Sequence, residues 1–97
     1  MSHVRVAVYT FKPGTIDEVS KRVESGVLPL FRQHPGFIAY DVVTTGGNKG
    51  VSISTWETAE QADEASAIAA RWVKENIADM VLSVERHVGE LRISSRS

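Results

Sequence analysis

Two extended apolar runs flank a glycine-rich turn, and the second run passes straight into a helix cap. The first is Gly36-Phe37-Ile38-Ala39-Tyr40-Asp41-Val42-Val43-Thr44, and the second is Val51-Ser52-Ile53-Ser54-Thr55-Trp56. Between them lies Thr45-Gly46-Gly47-Asn48-Lys49-Gly50, with three glycines free to take positive φ. A long amphipathic segment and a terminal extended segment stand on each side of this hairpin. The resulting order is β-α-β-β-α-β. It predicts an α+β fold, a ferredoxin-like sandwich in which both helices cover one face of a four-stranded antiparallel sheet.

The flanking segments carry their own signals. His3 to Phe11 alternates around Val4, Val6 and Val8, with Ala7, Tyr9 and Phe11 on the other face, as in a strand covered on two sides. Thr15-Ile16-Asp17-Glu18 reads as a capping box. Ile16, Val19, Val23, Val27, Leu30 and Phe31 then recur as one helical stripe. Pro29 lies inside that stripe, so a kink or break is expected near Ser25-Gly26. Pro35-Gly36 stops the helix. Thr58-Ala59-Glu60-Gln61 is a second capping box. The helix after it places Ala62, Ala65, Ala69, Trp72, Val73, Ile77 and Met80 on one side. The last strand is expected within Val84–Ile93, most clearly at Val88–Ile93, with Ser94–Ser97 frayed.

Residues 1–97 form one domain on length alone. A hydrophobic share of 42% suits a packed globule. The formal net charge is -1 and the basic residues are scattered, so nucleic acid is not an expected partner. There is no cysteine, which excludes disulfides, thiolate catalysis and Cys-ligated metal. No basic region followed by an apolar run opens the chain, and no apolar stretch is long enough to span a bilayer. The expected setting is cytoplasmic, away from any membrane. Every strand carries apolar residues on both faces, while two helices cover only one. A second copy packed on the other face resolves this, so a homodimer is expected.

The chain resembles the antibiotic-biosynthesis-monooxygenase-like domains of the dimeric α+β barrel superfamily. Val4-Arg5-Val6-Ala7-Val8-Tyr9, Leu28-Pro29-Leu30-Phe31, His34-Pro35-Gly36-Phe37 and Ser54-Thr55-Trp56-Glu57-Thr58 carry the likeness. It spans about Val4 to Ile93 and implies a pocket in each subunit between helices and sheet. Some members of that superfamily oxidise aromatic polyketides with O₂ and neither metal nor flavin; others degrade haem. The haem degraders use an Asn on the first strand with a Trp and a His on the second helix. Here the first strand has no Asn, and the second helix has Trp72 without a His. The polyketide oxidisers have a Trp matched by Trp56, and an Asn where this chain has Ser52.

Trp56 closes the third strand, so it is expected to border the pocket or to plug the core. Tyr9, Tyr40, Ser52, Ser54 and Trp72 are candidate pocket residues. Tyr40 is also a candidate catalytic donor to an enolate or to oxygen. His87 is the candidate general base, because imidazole titrates near neutral pH. The three histidines, His3, His34 and His87, have no paired spacing, so no metal is expected, and no cofactor either. Two functions fit. One is a cofactor-independent, monooxygenase-like enzyme acting on a small aromatic or enolisable compound. The other is a non-catalytic dimeric domain that binds a small ligand.

Overall fold

A computed structural model of the chain describes residues 2–95. Its elements run β1 (His3–Phe11), α1 (Ile16–Gln33), β2 (Phe37–Thr45), β3 (Lys49–Trp56), α2 (Ala59–Asn76), a 3₁₀ turn (Ala78–Met80) and β4 (Val81–Glu90). The four strands form one antiparallel sheet in the order β2-β3-β1-β4. The ferredoxin-like reading therefore holds. No helix among the described residues is long and apolar enough to cross a membrane.

Alternation along β1 sorts its side chains cleanly. Arg5, Ala7, Tyr9 and Phe11 are buried beneath the helices, while Val4, Val6 and Val8 lie on the opposite face. Val51 and Ile53 pair with Val8 and Val6, so they share that second face. Val43, paired with Val51, extends it and is 49% exposed. Val4, Val6, Val8, Val51 and Ile53 are each only partly covered.

The helix side holds two apolar clusters. One joins Val27, Phe31, Trp56, Ala62, Ala65 and Ala69. The other joins Ala7, Tyr9, Phe11, Val19 and Ile77. The alanines of α2 let its backbone approach the sheet closely. Trp72 packs against both clusters.

Several local expectations are corrected. The capping box at α1 does not form: Thr15 has helical φ and ψ and makes no side-chain cap. Its hydroxyl donates instead to Lys12 O at 2.7 Å. Glu18 is taken by Arg22 Nε at 2.8 Å, a charge-assisted bond that outcompetes a backbone N–H. The box at Thr58–Gln61 does form, with both reciprocal bonds present. Helix α1 is unbroken through Pro29, because Pro29 and Ser25 face solvent and the carbonyl freed by the proline can be hydrated. Gly26 marks a close approach rather than a break. A Cβ there would lie 2.5 Å from Trp72 Nε1, so only glycine leaves the indole room.

In the hairpin only Gly47 and Asn48 take positive φ, and Gly50 belongs to β3 beneath Phe11. The last strand starts earlier than its sequence suggests, at Val81, and ends at Glu90. Beyond it Leu91 N still donates to Ser2 O at 2.8 Å, whereas Ile93 is 91% exposed. The expected fraying of Ser94–Ser97 lies partly outside the described residues, which end at 95.

Candidate functional site

A cavity of about 360 Å³ lies at the seam between the two apolar clusters. This is within the usual range for small-molecule sites. Ser20 and Glu24 of α1 and Val42 and Thr44 of β2 line it and are exposed, which places its mouth between α1 and the edge strand β2. Phe11, Val19, Val23, Val27, Val73 and Trp72 supply apolar wall. Arg5, Tyr9 and Ser52 supply buried polar lining, and Tyr40 stands beside them.

Strand pairing explains this convergence. Ser52 pairs with Ala7 on one side and with Val42 on the other, and Tyr40 pairs with Ser54. These positions share the helix-covered face of three adjacent strands. Arg5 reaches across that face. Its Nε donates to Ser66 Oγ of α2 at 3.0 Å, and Nη1 donates to Ser52 Oγ at 3.4 Å. The guanidinium carbon sits 6.0 Å from the Phe31 ring centroid, in cation–π range. Phe31 in turn meets Tyr40 edge-on at 5.0 Å between centroids.

Burial pushes the Tyr40 phenol above its ordinary value; hydrogen bonding with Ser52 and the Arg5 charge act more weakly in the other direction. The phenol therefore stays protonated near neutral pH and keeps its O–H to donate. No group of three or more His, Asp and Glu side chains able to hold a metal ion occurs among the described residues.

Of the residues expected at the site, Tyr9, Tyr40, Ser52 and Trp72 are brought together on the cavity. Trp56 and Ser54 are not on its lining. Trp56 is fully buried, enclosed edge-on by Phe31, His34 and Phe37. Its indole N–H is consumed by Ser54 Oγ at 2.9 Å. Trp56 is thus the plug of one apolar cluster. His87 pairs with Val6 and so lies on the sheet face away from the helices. Its side chain is 64% exposed and its Nε2 sits 3.3 Å from Glu85 Oε2. No base for the cavity comes from there.

Arg5 is the residue that sequence reasoning missed. The signal was present in the alternation: residue 5 is in phase with Ala7, Tyr9 and Phe11, so a charge was placed on a buried stripe.

A family model described as antibiotic biosynthesis monooxygenase matches residues 2–73. No curated protein is similar enough in sequence to count as a relative. Among solved structures, the chain is similar to SnoaB, a cofactor-independent oxygenase from Streptomyces nogalater, crystallised in a mutant form. The TM-score is 0.77 at 16% identity, covering 99% of this chain and 98% of that one. It is similar to the NE2512 protein of unknown function from Nitrosomonas europaea, with a TM-score of 0.80 at 18% identity over 97% and 92% of the two chains. Rv0793 from Mycobacterium tuberculosis gives 0.77 at 13% identity over 98% and 99%. At these identities the structural likenesses establish the fold, and the family match establishes the lineage: the chain belongs to the antibiotic biosynthesis monooxygenase family.

Proposed function

We propose that this chain is a cofactor-independent oxygenase of small aromatic or enolisable compounds, working as a homodimer. The observation that carries the reading is the cavity: apolar walls around a polar lining made of hydrogen-bond donors, buried Arg5, Tyr9 and Ser52 and partly buried Tyr40. The family match and the fold shared with a cofactor-independent oxygenase support it.

The chemistry this lining suits is oxidation of an activated CH₂ by O₂. Loss of a proton to solvent gives a carbanion whose charge is delocalised onto oxygen, and donors at the cavity hold that oxygen. The carbanion carbon and O₂ form a C–O bond, giving a peroxide anion. The remaining C–H proton then leaves as the O–O bond breaks. The products are a ketone and hydroxide, which takes up the first proton as water. One CH₂ and one O₂ thus become one C=O and one H₂O, with no outside reductant.

The dimer reading rests on the second sheet face, where Val4, Val6, Val8, Val51, Ile53 and Val43 lie without a covering helix. Packing two such faces together removes apolar area from water at roughly 25 cal/mol per Å².

Oxygen uptake by the purified protein, with anthrones and cyclic 1,3-diketones as substrates and a chelator present, tests the activity. The expected result is substrate-dependent O₂ consumption matched by ketone or quinone formation. Uptake no faster than in buffer rejects it. The second reading, a non-catalytic ligand-binding domain, is favoured by one observation: no histidine or other obvious base stands on the buried part of the lining.

A further inference from the structure

Arg5 carries a positive charge into the interior with no negative charge to meet it. The residue is 1% exposed. Two of its nitrogens donate to neutral hydroxyls, Ser66 Oγ and Ser52 Oγ. The third, Nη2, is buried without a hydrogen-bond partner. No ion pair to Arg5 occurs among the described residues. Glu24 is the sole carboxylate on the cavity lining, and it is exposed at the mouth, where water screens it. Asp41 pairs with Ile53 and lies on the other sheet face.

A guanidinium keeps its charge in the interior rather than shedding a proton. Burying it unpaired is costly, and buried arginines are ordinarily matched by an acid. Here the seryl hydroxyls orient the fork, Phe31 supports it, and Nη2 has no acceptor among the described residues. Tyr9 and Tyr40 add phenol donors to the same cavity. The buried polar lining is rich in donors and positive, while the walls, with Phe11 and Trp72, are flat and apolar.

We infer that the cavity selects its ligand as an anion: a carboxylate, enolate or phenolate on a flat aromatic body, its oxyanion held by the charge of the Arg5 guanidinium and its rings lying between α1 and the sheet. This rests on the cavity being a ligand site, as the proposed function requires, but not on any reaction with oxygen. It also changes how the site obtains its carbanion. Pairing with Arg5 lowers the pKa of an acidic substrate on binding, so the proton can leave to solvent without an imidazole in the cavity.

The test is calorimetric titration under nitrogen with two probes of one shape, 2-naphthoate and its neutral amide, 2-naphthamide. The intact protein is expected to bind the carboxylate at least about tenfold more tightly, the ratio expected when one partner of a hydrogen bond becomes charged. Arg5→Gln, checked for folding by circular dichroism, is expected to erase that preference while leaving the amide's affinity within about threefold. Arg5→Lys restores part of it. A wild-type protein that binds both probes alike, or neither, overturns the inference, as does Arg5→Gln retaining the preference.

Because Arg5 is buried, its variants can fail to fold, so a second measurement uses the unaltered protein alone. 4-Nitrophenol is titrated by absorbance in the presence of saturating protein, and the bound probe is expected to ionise at lower pH than the free one. An unchanged or higher ionisation pH overturns the inference. Selective anion binding without oxygen uptake rejects the oxygenase and leaves the anion site standing. Oxygen uptake without anion preference does the reverse.

Discussion

The indole N–H of Trp56 donates to Ser54 Oγ at 2.9 Å, two residues back on the same strand and wholly inside the protein. The bond satisfies both polar groups within the core, so neither is left to contact a ligand. Trp56→Phe removes the donor, orphans the hydroxyl and leaves a void among Phe31, His34 and Phe37. It is expected to destabilise the protein by about 1–3 kcal/mol while ligand affinity in the cavity changes little. Urea unfolding and ligand titration on the same variant decide it. A large loss of affinity at unchanged stability would return Trp56 to the binding site.

Gly26 and Trp72 make a second pair whose role is steric. A methyl at Gly26 would collide with the indole, whose nearest atom is 2.5 Å from where that carbon would sit. Alanine gains about 1 kcal/mol in helix propensity, and overpacking costs about 1–3 kcal/mol. Gly26→Ala is therefore expected to be neutral to mildly destabilising and to move Trp72 into the cavity. Weakened ligand binding with a near-native unfolding midpoint is the anticipated pattern; unaltered binding would mean the indole escapes outward.

Burial raises the pKa of Tyr40 in the folded protein. Below about pH 10 both folded and unfolded chains hold the phenol proton. Above that, the unfolded chain releases it first, so stability present at neutral pH is lost as pH rises through the raised folded value. Tyr40→Phe should flatten this part of the alkaline stability profile. Urea midpoints measured between about pH 9 and 11 that fall equally in both proteins would refute it.

The two helix starts should respond differently to the same change. Thr58 accepts from Gln61 N, and Thr15 caps nothing. Thr58→Ala is expected to cost about 1 kcal/mol and Thr15→Ala less than about 0.5 kcal/mol, read from thermal unfolding. Equal losses would show that the Thr15 bond to Lys12 O stabilises the α1 start as well as a cap would.

The proposed dimer is tested where the sheet is bare. Light scattering should give about twice the 10.6 kDa chain mass, falling to the single-chain mass for Ile53→Glu. A wild-type monomer at micromolar concentration would refute the sheet-to-sheet pairing.

How far the sequence can be read depends on where each signal lies. The alternation in β1 and the run into Thr58 are local, and both elements stand where those signals place them. The α1 cap and the start of β4 differ from expectation because a competitor decides them. Arg22 claims Glu18 from a full turn away, and β4 is an edge strand whose partner β1, rather than its own weak alternation, sets where it begins. The site divides the same way. Tyr9, Tyr40, Ser52 and Trp72 stand out in the sequence as side chains suited to a pocket. Their junction with Arg5 depends on the pairing register of three strands, which no window of sequence displays. His87 stands out by its titration range, and its register opposite Val6 sends it to the other face.

The chain has two tryptophans, and the fold assigns them different surroundings: Trp56 sealed in a cluster, Trp72 on the cavity wall. The protein is therefore its own fluorescence instrument. Emission from Trp56 tracks whether the core is intact and should resist acrylamide. Emission from Trp72 tracks what enters between α1 and the sheet, and with Phe at position 56 it is the sole indole signal left.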